Sequence, residues 1–396
     1  FSQTFSNSIT LPEYLENRFG DDSGLLRSLS ALMILFFFTL YTSSGLVAGG
    51  KLFNSIFHVP YETAMLLGAG SVLVYTFMGG FLAVSWTDAF QATLMLMALL
   101  IVPALAFGEI GSVDPSGGSL GKLLSTFLPN EQGLAAVGTI VSLCAWGLGY
   151  FGQPHILARF MAIDSQESIP RARQIGTSWA ALAMMGAILA GLAGRLYFAD
   201  GLEDGEKVFI FLVQELMHPA IAGICLAGIL AAIMSTADSQ LLVSASALAE
   251  DFYRARIRPG AGQRELVWAG RLTVLMVCLA AMFLAQDPNS KVLDMVSYAW
   301  AGFGAGFGPT LILSLFWRDM NRLGALAGIA SGCICVVVWK NLHGGIFDIY
   351  EMLPGFVVST VAIIVASKMG KKPEREQLAL FDKSLGLLGR TQSFKG

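Results

Sequence analysis

The sequence predicts an all-α polytopic membrane protein. Of its 396 residues, 55% are hydrophobic and only 13% are charged, and the mean hydropathy is +0.64. A soluble domain carries about 25% charged residues, so this composition indicates a chain that lies largely within a lipid bilayer. The net charge of −3 gives no indication of a nucleic-acid partner.

Ten apolar runs are long enough to cross a hydrocarbon layer of about 30 Å. They lie near residues 26–50, 61–83, 88–108, 134–161, 173–197, 207–248, 266–285, 291–317, 323–340 and 353–369. The run 207–248 is longer than one span requires, and Pro219 predicts an additional short helix ahead of it.

Basic residues are distributed unequally between the connections. Clusters of Arg and Lys alternate with connections that hold mostly single lysines, which predicts that both ends of the chain are cytoplasmic. The even number of spans agrees with this prediction, because it returns the chain to the side of the membrane on which it started. We therefore expect a cytoplasmic loop at 1–25, a transmembrane domain at 26–370 and a cytoplasmic tail at 371–396. The acidic loop 199–207 is expected outside, and the apolar patch Leu378–Phe381 is expected to lie partly on the membrane surface.

The stretch from Trp146 to Pro154 interrupts the run 134–161 with three glycines and a proline. Proline lacks an N–H, so the helix is expected to unwind or kink here, and irregular backbone at bilayer depth requires protein or a water-filled cavity around it. Trp146 and Tyr150 share a face if the turn stays helical, and Tyr41 of the first span is a further polar aromatic residue for the same cavity. The pattern is typical of a transporter that holds a small solute. A kinked structural helix with aromatic packing is the alternative.

A second constellation lies in the run 207–248. Ala232, Ser235 and Thr236 share one helical face, where two hydroxyls and a carbonyl freed by a bend would suit a sodium ion. The alternative is that these hydroxyls bond the preceding helical turn or a neighbouring helix. Asp238 is an acid at membrane depth, which indicates either a functional group or a buried pair.

Two further motifs lie at the ends of spans. In 75–91, Thr87 or Asp88 is expected to cap the following helix after the sharp connection at Gly79–Gly80, with a gate near the cytoplasmic mouth as the alternative. In 298–309, small residues predict close helix packing, with a moving gate helix as the alternative. The five cysteines all lie in apolar segments, so we expect neither a disulfide framework nor a zinc site.

Together these motifs resemble the sodium:solute symporter family. The resemblance is carried by residues 146–160, 75–91, 297–309 and 324–328 and covers essentially the whole chain. It implies a leucine-transporter-like bundle of inverted five-helix repeats with about thirteen spans, of which about ten are present. The first unwound helix of the family would then precede residue 1, and the chain alone is not expected to transport.

The resemblance also implies roles for individual residues. It assigns the solute site to Tyr41, Trp146, Tyr150 and Pro154, and the sodium site to the Ala232 carbonyl and the Ser235 and Thr236 hydroxyls. It assigns gating or coupling to Asp88 and Arg159, and we add Asp238 to this group because an acid at membrane depth is usually functional. The residues at 146–160 favour L-proline as the solute.

The expected function is sodium-coupled symport of L-proline into the cell by alternating access, without covalent chemistry. The expected partners are proline, Na⁺ as the coupling ion and the lipid bilayer of the plasma (inner) membrane, with no other cofactor, no nucleic acid and no obligate protein partner. The alternatives are another amino acid, pantothenate or a small carboxylate as the solute; a proton carried by Asp238; and a sensory membrane module.

Overall fold

The structure of the chain is a computed structural model that describes residues 8–78, 81–113, 133–198 and 200–393. Within these residues the regular elements are helices. The α-helices are α1 Leu11–Phe19, α2 Leu25–Phe57, α3 Tyr61–Met78, α4 Phe81–Val113, α5 Leu134–Ala145, α6 Pro154–Met161, α7 Ile169–Tyr197, α8 Val208–Leu216, α9 Pro219–Ser246, α10 Gln263–Leu284, α11 Val292–Phe316, α12 Arg322–Lys340, α13 Met352–Met369 and α14 Arg375–Ser393. A 3₁₀ segment, Trp146–Gly152, joins α5 to α6, and a π-helix, Ala247–Ile257, continues α9.

The apolar runs of the sequence correspond to these helices. Among the residues that the structure describes, eight helices are long and apolar enough to cross a membrane, and two shorter apolar helices lie at Tyr61–Val74 and Ala136–Gly152. Each of the ten predicted runs therefore contains one of these helices. The additional short helix before Pro219 is also confirmed, because α8 ends at Leu216. The chain is therefore a multi-pass membrane protein.

Helix α11 lies at the centre of the bundle. In its most apolar window 78% of the residues are buried, against 17% in α7, which faces outward. Small residues allow this position, because a Cβ at Gly302 would overlap the ring of Phe37 on α2 and a Cβ at Gly332 on α12 would overlap the Ala305 carbonyl. The close packing predicted for 298–309 is confirmed, and α11 continues through Pro309.

The predicted cytoplasmic loop 1–25 contains a short helix, α1, that is packed on the rest of the protein. Thr10 Oγ1 accepts a hydrogen bond of 3.2 Å from the Glu13 amide and so caps α1. Gly20 ends the helix with a left-handed φ of 57°. Nine residues are too short for the hydropathy criterion, which explains why the sequence did not predict this helix.

The C-terminal segment is also packed on the protein. Phe381 is 1% exposed, and the guanidinium of Arg18 lies 4.6 Å from its ring centroid. Asp382 accepts two hydrogen bonds from Arg318, at 2.9 and 2.8 Å. The expectation that Leu378–Phe381 lies on the membrane surface is therefore wrong at Phe381, which is covered by α1 instead.

At the opposite end of the bundle, Glu206 joins three parts of the chain. Lys51 at the end of α2 donates to Glu206 Oε2 at 2.7 Å and lies 3.1 Å from Asp204. The carboxylate of Glu206 also accepts the amides of Val292 and Leu293, at 3.2 and 3.1 Å, and so caps α11. Burial acts to raise the pKa of Glu206, but these hydrogen bonds outweigh it and hold the pKa below its ordinary value.

Candidate functional site

The helix that begins at Leu134 unwinds where its sequence predicts. Helix α5 ends at Ala145, the chain continues as a 3₁₀ segment to Gly152, and α6 begins at Pro154, which occupies the first turn of that helix. A proline fits this position because the first amides of a helix have no intrahelical acceptor. We call residues 146–153 the break.

The break lies directly on α11. A Cβ at Gly149 would overlap the indole of Trp300, and a Cβ at Gly152 would overlap the carbonyl of Phe303. From the other side, a Cβ at Gly304 would lie 2.8 Å from the Cα of Gly149. Glycine on both surfaces therefore lets the two backbones touch, as irregular backbone inside a membrane requires.

Three of the predicted solute-binding residues lie in one aromatic cluster. Trp146 stacks on Trp300, with ring centroids 5.8 Å apart at 16°, and on Tyr350, at 5.9 Å. Tyr150 meets the ring of Trp300 edge-on at 4.9 Å, and Tyr41 packs at the margin of the same cluster. These five residues are called the aromatic cluster below.

Two members of the aromatic cluster, Trp300 and Tyr350, were missed by the sequence reasoning. Trp300 stands in a motif whose small residues indicated only helix packing, and Tyr350 lies in the connection between α12 and α13. The sequence signal for the first is a tryptophan among the glycines of an apolar run, which does not show by itself that it meets the broken helix. Sequence carried no signal for the second.

The three predicted sodium ligands also lie together. Thr236 Oγ1 and Ser235 Oγ both donate to the Ala232 carbonyl, at 2.9 and 3.2 Å. Helix α9 is continuous from Pro219 to Ser246, so the bend that would free this carbonyl is not a feature of the structure. The three oxygens nevertheless form one small group of neutral ligands of the kind that suits Na⁺.

A charged cluster follows one turn further along α9. Arg159 of α6 forms an ion pair with Asp88 of α4 and donates to Ser239 Oγ at 2.8 Å. Ser239 in turn donates to the Ser235 carbonyl at 2.8 Å and to Asp238 Oδ1 at 3.3 Å. The carboxyl of Asp238 is 0% exposed. The structure thus brings Asp88, Arg159 and Asp238 together through Ser239, which sequence reasoning did not single out.

The predicted helix-capping role of Asp88 is wrong. Helix α4 begins at Phe81, so Asp88 and Thr87 lie two turns inside it, and Thr87 Oγ1 bonds the Val84 carbonyl within the helix. The apolar run in the sequence begins later than the helix because Ser85, Thr87 and Asp88 interrupt it. The connection at Gly79–Gly80 lies outside the described residues.

A cavity of about 470 Å³ lies at the end of the bundle that carries α1. Its lining includes Pro154, His155 and Arg159 of α6, Ser239 of α9 and Asp251 of the π-helix. Of the predicted solute-binding residues, Pro154 alone is among the described residues that line it. His155 lies between the two regions, because its ring also meets that of Tyr41 at 6.3 Å.

Comparison with known proteins identifies the family of the chain. The model of the sodium:solute symporter family matches residues 3–332. The chain belongs to the sodium:solute symporter family. Its members are secondary transporters rather than enzymes, which agrees with a multi-pass bundle built around a broken helix.

Several curated members of the family are similar to this symporter chain. It is 49% identical over 377 residues to the sodium/proline symporter of Escherichia coli, covering 93% of this chain and 74% of the relative. It is 47% identical to the high-affinity proline transporter PutP of Bacillus subtilis, covering 95% and 80%. It is 44% identical to the osmoregulated proline transporter OpuE of the same organism, covering 98% and 80%.

A solved structure shows the fold of the symporter chain. The structure is that of a Na⁺-coupled sialic acid symporter in a substrate-bound, outward-open state, with a TM-score of 0.71 and 16% identity, covering 92% of this chain and 78% of that one. The chain therefore has the leucine-transporter-like, inverted-repeat helix bundle that the family resemblance implied.

Proposed function

We propose that the protein carries L-proline into the cell together with Na⁺ by alternating access. The observation that carries this proposal is the break, an unwound membrane helix whose two polar aromatic residues, Trp146 and Tyr150, meet around Trp300. Support for proline comes from the curated relatives at 47–49% identity, whose names state sodium/proline symport.

The proposed solute pocket consists of Tyr41, Trp146, Tyr150 and Pro154. Proline has a small apolar ring that an aromatic wall can cover, and its ammonium group can lie on the face of an aromatic ring. Tyr150 suits this role because 47% of its surface is exposed although it lies beside a buried tryptophan. Pro154 would form the margin of the pocket towards the 470 Å³ cavity.

The proposed ion site consists of the Ala232 carbonyl and the hydroxyls of Ser235 and Thr236. In the structure the two hydroxyl protons are directed at the Ala232 carbonyl. A bound Na⁺ would take the place of these two hydrogen bonds, since the hydroxyls rotate freely and each oxygen can turn a lone pair towards the ion. Further ligands would come from outside this group.

The charged cluster is proposed to couple the ion site to the cavity. Ser239 accepts from Arg159 and donates to the carbonyl of the ion-site residue Ser235, so a shift of α6 or α4 is transmitted to the proposed ligands. Asp88 holds the guanidinium from the other side. Buried Asp238 is the proposed coupling acid, and it carries the alternative in which a proton is the coupling ion.

The proposed location is the plasma membrane, with both ends of the chain in the cytoplasm. The clustered basic residues at Arg254–Arg258 and Lys368–Arg375 lie at the same end of the bundle, and they support this orientation through the positive-inside rule. Residues 1–25 and 371–396 would then be cytoplasmic, and the cavity would open towards the cell interior.

Uptake of radiolabelled proline into proteoliposomes tests the proposal. It is measured for the chain itself and for an extended form, in which the N-terminal spans of the Escherichia coli relative precede Phe1. Each is tested with an inward Na⁺ gradient, with a pH gradient alone, and with excess unlabelled proline, pantothenate or other amino acids. Na⁺-dependent uptake that only proline competes supports the proposal. Uptake driven by the pH gradient without Na⁺ would overturn Na⁺ as the coupling ion. Uptake of another solute in place of proline would overturn proline as the solute.

A further inference from the structure

The aromatic cluster is held together by one residue that no part of the proposed pocket includes. Trp300 is 5% exposed, and its ring carries both Trp146, stacked at 5.8 Å, and Tyr150, edge-on at 4.9 Å. An aromatic side chain in such a position fixes the rotamers of its neighbours, because stacked and edge-on pairs have defined geometry.

Trp300 also bonds the backbone of the break. Its Nε1 donates to the Trp146 carbonyl at 3.0 Å, at the point where the α-helical geometry of α5 gives way to the 3₁₀ segment. This hydrogen bond joins the first residue of the break to α11, and a hydrogen bond in a protein interior is electrostatically stronger than one in water. The indole N–H therefore stabilises the start of the unwound segment.

Gln153 makes the corresponding contact at the other end of the break. It is 0% exposed, and its Nε2 donates to the Gly149 carbonyl at 3.1 Å and to the Trp300 carbonyl at 3.3 Å. Trp300 of α11 thus donates a hydrogen bond to Trp146, the first residue of the break, and accepts one from Gln153, the last residue. These two hydrogen bonds of Trp300 join the break to α11. They lie on either side of Gly149, where the indole of Trp300 packs so closely that a Cβ would overlap it.

We propose that Trp300 is a positioning residue of the solute pocket, with Gln153 as its partner. It fixes the break on α11 and thereby sets the orientation of Trp146 and Tyr150 towards the solute. This inference rests on the proposed function for the identity of the solute, but the effect on the break itself does not depend on which solute is carried.

The test compares two tryptophans that donate to a backbone carbonyl at the same distance. Trp300→Phe removes the indole N–H but keeps an aromatic ring. Trp339→Phe is the matched control, because Trp339 Nε1 donates to the Ile349 carbonyl at 3.0 Å outside the aromatic cluster. Gln153→Met removes the other hydrogen-bonding group at nearly constant volume and tests the partner role.

The first readout is hydrogen exchange of the amides of residues 146–152, measured by mass spectrometry on the purified protein without solute. Loss of its one hydrogen bond predicts about fivefold faster exchange of this segment in Trp300→Phe. Gln153→Met removes two hydrogen bonds and should exchange at least as fast, whereas Trp339→Phe should leave the exchange of this segment unchanged. Unchanged exchange in Trp300→Phe would overturn the proposal, whichever solute the protein carries.

The second readout is the half-saturating solute concentration for uptake. It is measured on the chain itself or on its extended form, whichever transports, with proline or with the solute that the uptake assay identifies. Trp300→Phe should raise it about fivefold and leave the half-saturating Na⁺ concentration unchanged. The Trp300→Phe, Gln153→Met double variant should raise it by less than the product of the two single effects, because both act on one contact. Faster exchange with an unaltered half-saturating concentration would show that Trp300 stabilises the break without positioning the pocket.

Discussion

Replacing Gly152 with alanine tests whether the break lies directly on α11. The added Cβ would overlap the Phe303 carbonyl oxygen and lie 2.8 Å from Phe303 C and 2.9 Å from Gly308 N. The shorter of these two distances is about 0.6 Å less than the 3.4 Å at which ordinary contact begins. All three atoms belong to the backbone of a buried helix, so no side chain can rotate away. Overpacking of this kind costs about 1–3 kcal/mol.

Gly147→Ala is the matched control, because a Cβ at Gly147 in the same 3₁₀ segment would meet nothing within 4 Å. It should be neutral or slightly stabilising, by at most about 1 kcal/mol. Thermal unfolding of the purified variants and their half-saturating proline concentrations are the measurements, with the melting temperature changing by about 1 °C or more per kcal/mol. Gly152→Ala should melt lower and bind proline more weakly than Gly147→Ala. Equal behaviour of the two variants would refute the contact between the break and α11.

Three further predictions concern the ion site, the charged cluster and Glu206. Thr236→Val should raise the half-saturating Na⁺ concentration by about tenfold or more, whereas Thr360→Val, which removes a similar hydroxyl-to-carbonyl bond on α13, should not. Arg159→Gln should reduce uptake, and adding Asp88→Asn should restore part of it, with a coupling energy of about 0.5–3 kcal/mol. Glu206→Gln should lower the melting temperature at neutral pH. Because the pKa of Glu206 is lowered on folding, this difference from the wild type should be fully present above the ordinary value of 4.5 and should be lost as the pH falls from there through the lowered pKa of the folded state.

Each of these three predictions has a result that would contradict it. Equal Na⁺ dependence of Thr236→Val and Thr360→Val would remove the hydroxyl from the proposed ion site. Additive effects of Arg159→Gln and Asp88→Asn would mean that the ion pair does not act as a unit. A melting-temperature difference for Glu206→Gln that does not change between neutral and acidic pH would show that its stabilising contribution is not carried by the ionised carboxylate.

The broken helix was predictable because its cause is local. Glycines and a proline within one apolar run cannot form continuous helix, whatever surrounds them, and the structure unwinds between Ala145 and Pro154. The same holds for the short helix that ends before Pro219. These features depend on residues close together in the chain, so the sequence carries them.

Features that depend on distant residues were not predictable. Helix α1 has few apolar residues and is stabilised by partners far away in the sequence. Phe381, which lies 362 residues after Phe19, belongs to the same buried cluster. Asp88 was expected at a helix end because polar residues interrupt the apolar run, yet its partner Arg159 comes from another helix. The central role of Trp300 follows from the fold, which lays α11 on the break. The local pattern of a single sequence does not show which distant residues are in contact.

Symport of the proposed kind requires that a sodium ion on α9 and a solute at the break bind cooperatively. Equilibrium binding of radiolabelled proline to the extended form, with Na⁺ replaced stepwise by K⁺ at constant ionic strength, tests it most directly. We expect Na⁺ to strengthen proline binding, proline to strengthen Na⁺ binding by the same factor, and Thr236→Val to remove both effects. Proline binding of equal affinity in Na⁺ and in K⁺ would contradict it.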